Sequence, residues 1–154
     1  VAECDAELAG YESCARCLIA AITIKYARTA GRKDEGAGER RYLMERLQPV
    51  LNYIAENYAL PLDAERLSEL LFVHPSTLRM WFHRTLGITP MQYVHRTRVS
   101  MACALLQSTT LSVAEIAQNV GYTTISSFNR QFSDICGCSP VAYRRRAAAA
   151  RRET

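Results

Sequence analysis

Several things are scarce or missing in this chain, and each absence excludes something. No run of about 18 apolar residues occurs, so no segment reads as a membrane-spanning helix. The N-terminus, Val1-Ala2-Glu3-Cys4-Asp5, is acidic and lacks the basic start of a secretory signal. An initiator methionine is also missing, which fits a fragment or a processed product. Histidine occurs only at 74, 83 and 95, and none of the three falls in a motif with a nucleophile, so catalysis is rejected. Lysine is absent beyond residue 60. Residues 61–154 hold eleven arginines against six acids, whereas residues 1–60 hold eight basic residues against nine acids. The second part of the chain therefore carries the field that suits a polyanion. What is present is 49% apolar, enough for a core and far from a disordered composition. Six cysteines (4, 14, 17, 103, 136, 138) occur without any secretory feature, which points to free thiols in a cytoplasmic protein rather than a disulfide framework.

The dominant feature is a duplication between residues 62 and 143. At an offset of 50, Phe82 falls on Phe132, Gly87 on Gly137, Pro90 on Pro140 and Tyr93 on Tyr143; upstream the offset becomes 49, with Leu67 on Ile116 and Phe72 on Gly121. Each copy reads as a short helix, a tight turn, a second helix ending in an aromatic, a glycine stop and a Ser/Thr-Pro restart. That outline is a helix-turn-helix, whose second helix enters a DNA major groove. Two copies are too few for a solenoid, which needs about three.

In order along the chain, residues 4–30 read as one helix with a seam of Leu8, Tyr11, Ala15, Leu18 and Ile22, a candidate dimerisation surface. Residues 31–47 form a Gly-rich linker and lead-in, and Pro49 is expected in the first turn of a helix reaching Tyr58. Asp63 caps helix 64–71, with Leu67, Leu70 and Leu71 inward. Pro75 opens helix 75–86, whose inward face is Leu78, Trp81, Phe82 and Leu86, and Gly87 ends it. Thr89-Pro90 starts a linking helix to about residue 107. Ser112 and Glu115 form a capping box for helix 113–120, helix 124–135 follows, and Ser139-Pro140 restarts a last helix through Tyr143. Residues 147–154 read as a basic tail, following on from Arg144 to Arg146 as a frayed helix or a flexible segment. The fold class is all-α: two helix-turn-helix subdomains (about 62–90 and 112–143) joined by the linking helix, preceded by a separate N-terminal helix at 1–30.

On each second helix the apolar stripe is committed inward, which leaves the opposite face for DNA. The first such face carries Ser76, Arg79, Met80 and His83, with Arg84 near the end; the second carries Ser126, Asn129 and Arg130, flanked by Ile125 and Ser127. Arginine suits guanine O6 and N7, asparagine suits adenine, and Met or Ile can touch a thymine methyl. Thr89, Ser139, Arg96 and Arg98 are candidates for phosphate contacts.

With these residues in hand, the chain resembles the DNA-binding domain of the AraC/XylS family over about residues 48–146. Leu67-Ser-Glu-Leu-Leu71, Leu78 to Phe82, Gly87-Ile-Thr-Pro90, Tyr93, Arg98, Ala102 and Leu105-Leu106 are similar to its first half. Ile116 to Tyr122, Ser127 to Phe132, Gly137, Ser139-Pro140 and Tyr143-Arg144 are similar to its second, more diagnostic half. The resemblance implies a seven-helix module that inserts two recognition helices in successive major grooves, about 34 Å apart. It assigns base contacts to Ser76, Arg79, Met80, Ser126 and Arg130. The partners it implies are double-stranded promoter DNA and RNA polymerase, with a homodimer through residues 4–30; no cofactor is implied. Three departures stand out: Ser68 replaces an alanine, Phe72 replaces the turn glycine, and His74 replaces a capping serine. His74 is expected to cap poorly, and Met80 to give weaker or methyl-directed readout. Two rival readings use the N-terminal helix as a protein-interaction surface, or Cys14 and Cys17 as a thiol or metal sensor. A four-ligand zinc site, however, requires two matched pairs.

Overall fold

The structure, a computed structural model, describes residues 37–150. The helix expected at 4–30, with its seam and with Cys14 and Cys17, lies outside the described residues. Seven helices are described: α1 (Ala37–Asn57), α2 (Ala64–Glu69), α3 (Pro75–Leu86), α4 (Pro90–Ser108), α5 (Val113–Asn119), α6 (Ile125–Cys136) and α7 (Pro140–Ala150). Among the described residues there is no strand. The chain divides into two compact units. The first takes α1 to α3 and α4 as far as Val94; the second takes residues 58–61 and everything from His95 on.

The first unit is built on an apolar stripe along α1. Leu43, Leu47, Val50, Leu51 and Ile54 are all buried, at steps of three and four. This corrects the expected position of Pro49, which lies inside α1 rather than in its first turn. A proline costs about 3 kcal/mol inside a helix. Each buried leucine returns about 1.5–3 kcal/mol, and continuing the helix back to Ala37 buries both Leu43 and Leu47 while the proline ring stays exposed. Asp63 caps α2 through Oδ1, which accepts from the Arg66 N–H at 2.7 Å. The buried stripe of α2 runs Ala64, Leu67, Ser68, so Leu70 falls at its margin and is exposed, against expectation. Ser68 is tolerated inside because its hydroxyl donates to the Glu65 carbonyl at 2.7 Å. Leu78, Phe82 and Leu86 of α3 close this core against α1, α2 and Tyr93, whose ring meets Phe82 edge-on at 5.9 Å. Trp81 is only half-buried; the Arg46 guanidinium lies 5.4 Å from its ring centre.

The second unit repeats the plan with a more aromatic core. Tyr122, Phe128, Phe132 and Tyr143 follow one another at centroid distances of 5.3, 5.5 and 5.6 Å. Ser112 and Glu115 form the expected capping box on α5. Gly137 ends α6 in the left-handed conformation, as Gly87 ends α3, both at φ 70°. The last helix runs past Tyr143 to Ala150, the helical of the two forms expected for the residues that follow. Nothing after Pro140 breaks it, and alanine is the strongest helix former.

Candidate nucleic-acid interface

In the first unit, α3 is positioned from both ends. Pro75 occupies its first position, His74 stands at the cap and Gly87 terminates it. The His74 Nδ1 accepts from the Ser76 N–H at 3.3 Å, longer than an ordinary N–H bond, and lies 2.8 Å from the Ser76 hydroxyl. With Leu78, Phe82, Thr85 and Leu86 buried, the outer face presents Ser76, Arg79, Met80 and His83, all exposed. No acidic residue lies in α3. Arg84 is also exposed, but its guanidinium donates to Glu39 at 2.9 Å, which reduces the charge it offers outward. The Thr89 hydroxyl is engaged as a cap on Gln92, so its oxygen serves the helix start.

In the second unit, Thr124 caps α6 by accepting from the Ser127 N–H at 3.2 Å. Phe128 and Phe132 are fully buried. Ser126, Asn129 and Arg130 stand exposed on the other side, beside a half-exposed Ile125 at the first helical position and a partly buried Ser127. Ser139 is exposed and caps α7 through the Ala142 N–H at 3.3 Å. Each unit thus offers one helix with a buried apolar stripe and an exposed polar face, the arrangement that can read base edges while the surroundings hold phosphates.

Arg98 is corrected by the structure. It is 7% exposed; its Nε donates to the Tyr58 carbonyl at 2.7 Å and its Nη2 to the Leu60 carbonyl at 2.9 Å. Its guanidinium also lies 5.5 Å from the Tyr122 ring centre. It therefore pins residues 58–61 within the second unit and is not a phosphate contact. Arg96 is partly buried.

Sequence reasoning set His95 aside, yet it belongs to the surroundings of Arg130. Its ring stacks on Tyr122 at 5.7 Å and its Nδ1 lies 3.2 Å from the Tyr122 hydroxyl. Burial, then the positive charges of Arg98 and Arg130, hold the imidazole below its usual pKa. Burial pushes the Tyr122 phenol up to about 12. No sequence signal joins a residue on α4 to a turn residue 27 positions later, so this pairing was illegible. Among the described residues, no group of three or more His, Cys, Asp or Glu could hold a metal, and no helix is long and apolar enough to cross a membrane.

A protein family described as a helix-turn-helix domain matches residues 67–146. The probable transcriptional regulator LumQ of Photobacterium leiognathi is 34% identical over 102 residues, covering 65% of this chain and 41% of that protein. Across LumQ and two further curated relatives, the match spans between 31% and 41% of the relative's length. Among solved structures, the DNA-binding domain of AdpA in complex with a target DNA superposes with a TM-score of 0.66 at 28% identity, covering 71% of this chain and 98% of that one. The C-terminal domain of the response regulator yesN from Fusobacterium nucleatum gives 0.61 at 29% identity, covering 65% and 98%.

Proposed function

The chain belongs to the AraC/XylS-type helix-turn-helix family, and from that premise we propose that it is a sequence-specific, DNA-binding transcription regulator that reads bases with α3 and α6. One observation carries the proposal: two helices related by the internal repeat each bury their apolar stripe and leave a polar, arginine-bearing face open. Base contacts are assigned to Ser76, Arg79 and Met80 in the first unit and to Ser126 and Arg130 in the second. Arg130 is the strongest candidate for guanine, since its exposed guanidinium can bond O6 and N7 together. Met80, 42% exposed, suits the methyl group of thymine. His83, Ile125 and Asn129 supply the surrounding contacts. We further assign RNA polymerase as a partner, a homodimer formed through residues 4–30, and the bacterial cytoplasm as the site of action; the similarity to proteins named as transcriptional regulators supports the first and last, and the apolar seam from Leu8 to Ile22 supports the second.

The test is selection of preferred sites from random duplex DNA at two salt concentrations. The expected product is a pair of short boxes about one helical turn apart. Affinity is expected to fall with salt at a slope of about −0.9 per phosphate neutralised. Enrichment of a single box would remove α3 from base reading. No enrichment at either salt would overturn the proposal.

A further inference from the structure

Within the second unit, two thiols meet that have no neighbourhood in sequence. Cys103 lies on α4 and Cys136 is the last residue of α6, 33 positions away, and their sulfurs are 3.7 Å apart. Both are half-buried, so a small solute can reach them. Cys136 continues the inward line Phe128, Phe132, Cys136 at steps of four, and Cys103 extends the packed stripe of Val99, Ala102 and Leu106. The sulfurs therefore face each other where the reading helix leaves its core. The two thiols are chemically unequal. The Cys103 S–H beside Cys136 holds the Cys136 thiol below its usual pKa, while that same bond and burial push Cys103 up. A disulfide has an S–S length of about 2.05 Å, so the sulfurs must close by about 1.7 Å, within reach of side-chain rotation and a small helix displacement.

We propose that Cys103 and Cys136 are an oxidation site: a peroxide converts them to a reversible disulfide that weakens DNA binding by the second unit. The Cys136 thiolate attacks one oxygen of hydrogen peroxide; the O–O bond breaks, water leaves with the thiol proton, and Cys136 becomes a sulfenic acid. The Cys103 sulfur then displaces the hydroxyl group. The S–S bond forms, the S–O bond breaks, and a second water carries away the Cys103 proton. Two sulfurs lose two electrons to one peroxide, and a dithiol reductant returns two electrons and two protons. The effect on DNA rests on the function proposed above; the disulfide does not. It follows from packing. Phe128 and Phe132 are fully buried, so the end of α6 cannot be drawn toward α4 without moving the helix in a close-packed core. Arg130 and Ser126 stand six and ten residues back on that helix, about 9 and 15 Å at 1.5 Å per residue, and a displacement of about 0.5 Å is enough to spoil such contacts.

The test uses the full chain, treated with hydrogen peroxide, alkylated, digested without reduction and mapped by mass spectrometry. The expected dominant cross-link joins Cys103 to Cys136. It persists in Cys138→Ser and is lost in Cys136→Ser and in Cys103→Ser; should the half-buried Cys103→Ser not fold, Cys103→Ala replaces it. Oxidation is expected to weaken binding to the selected duplex about tenfold, with recovery on adding dithiothreitol and no change in Cys136→Ser. Pairing of Cys136 with Cys138 or with Cys4, Cys14 or Cys17, or accumulation of sulfinic acid, would overturn the assignment. A mapped Cys103–Cys136 link with unchanged affinity would overturn its effect on DNA. Reduced protein that ignores every duplex would count against the function proposed above, while the mapping still decides the disulfide.

Discussion

The two helix-turn-helix turns are made of different residues and have the same backbone. In the first, the Phe72 N–H donates to the Glu69 carbonyl at 3.1 Å and the Val73 N–H to the Ser68 carbonyl at 3.2 Å. In the second, the Gly121 N–H donates to the Gln118 carbonyl and the Tyr122 N–H to the Ala117 carbonyl, both at 2.9 Å. These are the same bonds at an offset of 49. Both central residues take positive φ, 53° at Phe72 and 87° at Gly121. Phe72 is the sole described non-glycine residue to do so, and it is 98% exposed. A Cβ on Gly121, in contrast, would lie 2.5 Å from the Ala59 carbonyl oxygen and 2.8 Å from its carbon. Glycine is thus preferred at the first turn and obligatory at the second. At Phe72 only the left-handed backbone penalises a side chain, by about 1–2 kcal/mol. At Gly121 a neighbouring backbone also fills the space.

The comparison can be broken or sharpened by substitution. The largest effect is expected for Gly121→Ala, which meets both penalties; a loss of about 3 kcal/mol or more in thermal or denaturant unfolding is expected, and a loss below about 1 kcal/mol would show that residues 58–61 do not lie on the turn. Next comes the pair Arg130→Ala and Arg79→Ala, each expected to lose about 1–3 kcal/mol of DNA binding with relaxed preference at one base pair. Equal loss on all sequences would reassign either arginine to phosphate. Removing the cap in Thr124→Ala should cost about 1 kcal/mol of stability, whereas His74→Ser should gain a few tenths, because serine is among the preferred cap residues and histidine is not. Phe72→Gly is expected to stabilise by about 0.5–1 kcal/mol; destabilisation would mean that the exposed ring packs on something. The smallest effect concerns pH. The folded pKa of His95 lies below its ordinary value of 6.5, so the unfolded chain binds the proton more readily. Stability from this group is complete above pH 6.5 and is lost as pH falls through the lower, folded pKa. His95→Gln should flatten that part of the stability–pH profile.

Local chemistry was legible where a residue's role is set within one turn. Ser112 with Glu115, Asp63, Pro75, Gly87 and Gly137 mark helix ends because capping and left-handed stops involve neighbours only three or four positions away. The buried stripes of α3 and α6, and so the faces left open opposite them, followed from period alone. Pro49 misled because proline is a strong local signal, overridden here by burial on the other side of the same helix. Arg98 misled because arginine on a basic helix suggests a phosphate, while the carbonyls of Tyr58 and Leu60 that claim it lie some 40 positions earlier.

By itself, then, the sequence determined an all-α arrangement of the described residues with two related helix-turn-helix units, their helix ends, and the two polar faces left open opposite the buried stripes. These depend on propensity, period and repetition, which are properties of order along the chain. Only the tertiary structure decided that α1 runs through Pro49, that Arg98 faces inward, that Gly121 admits no side chain, and that Cys103 meets Cys136. Each of these rests on which atoms from distant positions occupy the same few cubic ångströms, and close packing settles that only once the chain has folded.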